Sequence, residues 1–194
     1  AHIHGEACYQ KVFDCVKEEH AHSKSCYSNP NADVENREIW ENTIPKEFMG
    51  IPEEDLIAVA ESQLGYKESS RNYVVTENGK TKGYTRYGAW YGSAYGDWCA
   101  MFISFCLNYA EIDEIIVPRE AGCQKWIETL SQEPYQIYRT AEEYVPERGD
   151  LIFFNTDAEE DSDHVGIVVE VLDSADGAES TVKTIEGNSS DKVT

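Results

Sequence analysis

Gly96-Asp97-Trp98-Cys99-Ala100-Met101-Phe102-Ile103-Ser104-Phe105-Cys106-Leu107-Asn108-Tyr109 is the stretch from which the fold can be read. Phe102, Phe105, Cys106 and Tyr109 recur at i, i+3, i+4 and i+7, the spacing of one buried helical face. The helix follows Asp97, so Cys99 falls in its first turn. Unpaired backbone N–H groups and the positive end of the helix dipole meet there, and both favour a thiolate. The same N–H groups suit the oxyanion of an acyl intermediate. A cysteine in an apolar helix is otherwise a buried structural residue, and Cys106 and Cys123 read that way.

On the N-terminal side, Pro52-Glu53-Glu54-Asp55 opens a second helix with acidic residues at its positive end. Leu56, Ile57, Ala60 and Leu64 form its stripe, and Gly65 is its expected stop. Residues 66–97 are rich in Gly, Tyr, Ser and Asn and read as surface loops. On the C-terminal side, Cys123, Trp126, Ile127 and Leu130 predict a third helix. The period then changes to two. Residues 151–154 (Leu-Ile-Phe-Phe), 164–171 and 181–185 are strand candidates. Helices followed by strands predict an α+β fold with an antiparallel sheet.

His164 is the one histidine outside the first 29 residues. In Asp163-His164-Val165-Gly166-Ile167-Val168-Val169 it shares a strand face with Gly166, which leaves room beside the ring for a helix or substrate. A cysteine at a helix start and a histidine on a later strand make a thiol–imidazole pair. Glu186 and Asn188, in Ile185-Glu186-Gly187-Asn188-Ser189, share a face if the chain stays extended, and either could accept the second imidazole N–H. The competing reading of that stretch is a turn.

These motifs, taken in order with Pro146-Glu147-Arg148-Gly149-Asp150-Leu151-Ile152-Phe153-Phe154, resemble the CHAP family of cysteine, histidine-dependent amidohydrolases and peptidases. The resemblance runs from about residue 53 to the end. It implies a papain-like fold, with helices packed on an antiparallel sheet, and hydrolysis of amide bonds in bacterial peptidoglycan. By the same resemblance Cys99 is the nucleophile, His164 the general base, Glu186 the group that orients it, and Asn188 an auxiliary polar group. NlpC-type endopeptidases share part of the pattern but use a second histidine, which this chain lacks after His164. Arg148 stands where the family often has proline. The family sheet implies a further strand beyond Asn188, so the sheet is expected to be incomplete at Thr194.

The chain has 194 residues, enough for one domain and a small appendage. Three segments are expected: a Cys/His-rich repeat at 1–29, a linker at 30–50 marked by Pro30, Pro45 and turn residues, and the hydrolase domain at 51–194. A formal charge of −21 excludes nucleic acid and anionic lipid as partners. No run reaches the roughly 18 apolar residues of a membrane span. Ala1-His2-Ile3-His4 reads as a processed boundary, with any export signal already removed. Twelve tyrosines and four tryptophans suit a sugar or peptide cleft, and equally ordinary packing.

His2-x-His4 with Cys8-Tyr9 repeats eighteen residues on as His20-x-His22 with Cys26-Tyr27. The repeat resembles one on surface proteins of Gram-positive bacteria, and places the chain on the cell surface or outside it. Cys15, His20, His22 and Cys26 could ligate a structural zinc, and a disulfide or a disordered spacer are the alternatives. Asn155, Asp157, Glu159, Asp161 and Asp163 have calcium-like alternation but lack the loop glycine, so a solvated hairpin tip is expected and no calcium. Catalysis needs no cofactor on this reading. The alternatives to a peptidoglycan amidase or endopeptidase are a protein-directed cysteine peptidase or acyltransferase, and a silent wall-attachment module.

Overall fold

The computed structural model describes residues 21–156, 161–172 and 181–194. Within the stretch expected to be a linker, Arg37–Glu41 forms a short helix, α1, opened by the Asn36 side chain, which accepts the Ile39 N–H. Trp40 on this helix is 9% exposed, joins the hydrophobic core and donates its indole N–H to the Tyr109 hydroxyl at 2.8 Å. Ile44 is buried in the same core. Just upstream, the Asn72 amide donates to the carbonyls of Pro30 and Ala32, and Asp33 pairs with Arg71. Residues 30–44 are therefore part of the packed body. Their prolines and Asn-rich turns describe local backbone, but one buried indole outweighs them by the apolar area it removes from water.

Pro52–Glu61 is α2, with Pro52 at its first position and Glu53, Glu54 and Asp55 in its first turn. Leu56, Ile57, Val59 and Ala60 are buried. Leu64 is exposed instead of extending the stripe, because the helix stops at Glu61 and the chain turns to pair Gly65 N–H with the Val193 carbonyl. Residues 66–97 are more regular than their composition suggests. Tyr73–Val75 (β1) and Thr81–Gly83 (β2) form an antiparallel hairpin, and Arg86–Tyr91 forms α3. Strands of three residues carry too little alternation to be read from sequence.

Cys99–Tyr109 is α4, and every residue from Cys99 to Leu107 is buried. Such a helix is central rather than peripheral: it packs against α2 and α3, and against two strands of the main sheet. Cys123–Ser131 is α5, burying Cys123, Trp126 and Leu130. The main sheet consists of β3 (Leu151–Phe154), β4 (His164–Leu172) and β5 (Thr181–Glu186), in that order and antiparallel throughout. Val165, Ile167 and Ile185 enter the core beside α4. The fold is thus α+β, a helical layer on an antiparallel sheet. Thr194 exchanges both backbone hydrogen bonds with Glu186, at 3.0 and 3.1 Å, and Lys192 bridges to Lys67. Among the described residues no helix is long and apolar enough to cross a membrane.

Candidate active site

Cys99 is the first residue of α4. The preceding Trp98 has no side-chain acceptor for the first-turn N–H groups, so they stay free of a cap. Trp98 is itself immobilised. It is fully buried, stacks on Tyr87 with ring centroids 5.3 Å apart, and donates its indole N–H to Glu68 at 2.9 Å. The other Glu68 oxygen accepts the Gly83 N–H from β2. The hairpin and the aromatic cluster thereby set the position of the residue next to Cys99.

His164 is the first residue of β4, paired with Phe154 of β3. Its Nε2 lies 2.9 Å from the Glu186 carboxylate at the end of β5. Glu186 also accepts the Thr184 hydroxyl at 2.5 Å. With Nε2 committed to Glu186, Nδ1 is the ring nitrogen left for Cys99. The space beside His164 that Gly166 opens is filled by Glu186 rather than by a helix or substrate: a Cβ on Gly166 would lie 2.9 Å from the Glu186 Cγ. Gly187, next along, lets the end of β5 meet α4, since a Cβ there would fall 2.5 Å from that of Phe102.

The charges follow from this arrangement. Cys99 is 7% exposed. Burial opposes its ionisation, yet its pKa is pulled down to about 5 by a hydrogen bond from the Cys123 thiol, then by His164 and the Ala100 N–H. His164 is pushed up to about 9, first by Cys99 and then by Glu186. Glu186 is held below the usual carboxylate range by its bond to His164. A thiolate–imidazolium pair backed by a carboxylate is the form these shifts favour at neutral pH.

Asn188 does not share the face of Glu186. Strand β5 ends at Glu186, and Asn188 has φ 61°, so the alternation that would bring the two together is broken. It lines instead a cleft of about 350 Å³ with Glu68, Lys82, Gly96 and Asp97. The turn reading thus describes residues 187–191, where Asn188, Ser190 and Asp191 all take positive φ.

Sequence reasoning missed one partner. Cys123, taken as structural, is the first residue of α5, and its Sγ lies 3.7 Å from that of Cys99. The available signal was its place at the start of a helical stripe after Gly122, the same local setting as Cys99.

Of the proposed zinc ligands, Cys15 and His20 lie outside the described residues. His22 packs near Tyr27, with ring centroids 6.1 Å apart, and Cys26 sits in the 3₁₀ turn Lys24–Tyr27. That turn is attached to the domain, because the Tyr73 hydroxyl donates to the Lys24 carbonyl and the Ser28 hydroxyl to the Tyr73 carbonyl. In the acidic loop, residues 157–160 lie outside the described set, and Asp163 accepts hydrogen bonds from the Thr156 N–H and hydroxyl. Among the described residues no group of three or more His, Cys, Asp or Glu is placed to hold a metal.

No curated protein and no solved structure matches the chain. The CHAP domain model matches residues 89–188, more than half of the chain. That span begins in α3 and contains Cys99, Cys123, His164, Glu186 and Asn188. With the cysteine heading a central helix and the histidine on the adjoining antiparallel sheet, the chain belongs to the CHAP family.

Proposed function

We propose that this protein hydrolyses amide bonds of bacterial peptidoglycan, as an N-acetylmuramoyl-L-alanine amidase or a peptide endopeptidase, through a thioester on Cys99. CHAP domains are generally amidases or peptidases, with peptidoglycan as the substrate class. The observation that carries the reading to these residues is the hydrogen-bonded line from Glu186 to His164, with its effect on Cys99. A helix bearing the cysteine against a sheet bearing the histidine is the arrangement expected of a papain-like fold.

In the proposed mechanism the Cys99 thiolate attacks the carbonyl carbon of the scissile amide. The first-turn N–H groups of α4 stabilise the oxyanion. His164 gives its proton to the leaving amine, and Glu186 keeps the ring in the required orientation and tautomer. Neutral His164 then activates water against the thioester, restoring the thiolate–imidazolium pair. Secretion or display on the cell surface follows from this substrate.

Digestion of purified Gram-positive peptidoglycan by the protein and by Cys99→Ala tests the proposal, with mass spectrometry of the released fragments. Fragments from the unaltered protein alone support it, and their new amino groups identify the bond. Equal release by Cys99→Ala overturns the role of Cys99. A folded protein that releases nothing from several wall types favours the protein-directed or wall-attachment reading.

A further inference from the structure

The N-termini of α4 and α5 converge so that their first residues, Cys99 and Cys123, touch through sulfur at 3.7 Å. The two thiols are only 7% and 5% exposed, so the contact is enclosed by the core rather than formed by chance on a mobile surface. The third cysteine of the domain, Cys106, is fully buried further along α4. Cys123 helps to hold the Cys99 thiolate by a hydrogen bond, but a hydroxyl could do the same, so the choice of a second thiol beside the nucleophile needs its own explanation. A thiolate is also the form of cysteine that peroxides oxidise.

We propose that Cys123 is a resolving thiol, which captures Cys99 after oxidation by a hydroperoxide and closes the active site as a reversible Cys99–Cys123 disulfide. The proposal rests on the reading of Cys99 as the reactive nucleophile. In the first step the Cys99 thiolate attacks one oxygen of the peroxide. An S–O bond forms, the O–O bond breaks, and hydroxide leaves. In the second step the Cys123 sulfur attacks the Cys99 sulfenic acid. An S–S bond forms, the S–O bond breaks, and the oxygen departs as water with the Cys123 proton. The two thiols together give up two electrons, and the peroxide takes both.

A disulfide needs its sulfurs about 2.05 Å apart. The two sulfurs are already in van der Waals contact at 3.7 Å, and the proposal requires the side chains at the two helix ends to close the remaining gap. Without a thiol in contact, a sulfenic acid continues to sulfinic and sulfonic acids, which simple thiols do not reduce. Cys123 would divert the enzyme from that loss and tie its activity to the redox state of its surroundings.

The test treats the full chain with hydrogen peroxide, blocks remaining thiols under denaturing conditions, and maps linked peptides by mass. The expected result is a Cys99–Cys123 peptide pair that dithiothreitol separates, together with peptidoglycan hydrolysis that falls with peroxide and returns with dithiothreitol. In Cys123→Ser the same treatment is expected to carry Cys99 to sulfinic or sulfonic acid. The hydrolysis lost, measured against that variant's own untreated rate, then does not return. Absence of the Cys99–Cys123 pair in the unaltered protein overturns the proposal, as does a Cys99 linked only to another cysteine, or equal recovery in the variant. Because the linked peptide is read by mass, it stands apart from the hydrolytic reading. Hydrolysis by Cys99→Ala would remove the nucleophile assignment while leaving the cross-link result intact.

Discussion

Gly166 and Glu186 face each other across β4 and β5, and the absence of a side chain at Gly166 is what admits the Glu186 carboxylate to His164. A Cβ at position 166 would come within 2.9 Å of Glu186 Cγ and 3.3 Å of Thr184 Cβ. Gly166→Ala should therefore displace Glu186 while preserving the strand, whose φ at this position suits any residue. The expected outcome is an imidazolium that loses its proton at lower pH than in the unaltered protein, read as a downward shift of the alkaline limb of the hydrolysis profile. An unchanged limb in a folded variant would show that Glu186 does not act through this contact.

Glu186 holds His164 by both a hydrogen bond and a charge. Glu186→Gln keeps the first and removes the second, whereas Glu186→Ala removes both. A hydrogen bond to a charged group contributes about 1.5–3 kcal/mol, so Glu186→Ala should slow hydrolysis about ten- to hundredfold. Glu186→Gln should fall between it and the unaltered protein, with the alkaline limb moved down. Steady-state rates across pH on soluble muropeptides check the order of the three proteins.

The thiol and imidazole shifts define a pH window. A lowered cysteine pKa means that thiolate is present above about 5, and a raised histidine pKa means that imidazolium persists up to about 9. The ion pair therefore fills the interval between. Iodoacetamide labelling of Cys99, quantified on its peptide, should rise through pH of about 5 and stay nearly level to about 9. A rise centred on the ordinary thiol value of about 8.5 would refute the pairing. Cys123→Ala removes the first-named cause of the low value, and should move the acid midpoint upward.

Trp40 offers a test of where the domain begins. Its indole is 9% exposed and bonded to Tyr109, the last residue of the helix that Cys99 opens. Trp40→Ala should cost about 3–5 kcal/mol of unfolding free energy, measured by urea denaturation, as large-to-small changes of buried aromatics do. A residue in a linker would give no measurable change.

The sequence alone determined the elements whose patterns are long enough to repeat. The i, i+3, i+4, i+7 stripes of α4 and α5, the short apolar run of β3 and the β-branched extended runs of β4 and β5 state their own type, and the Asp97-Trp98-Cys99 boundary puts the cysteine in a first turn. Those features follow from backbone geometry within one segment, so neighbours in sequence suffice to reveal them. The family followed from the order of its motifs. What only the tertiary structure decided are the meetings between segments. The β4–β5 register sets Glu186 against His164, the positive φ at Asn188 takes it off that face, the indole of Trp40 draws a proline-flanked stretch into the core, and the converging starts of α4 and α5 bring Cys123 to Cys99. Each depends on how surfaces remote in the chain fill space against one another. That packing is decided by the shape of the whole core, and a local pattern carries no record of it.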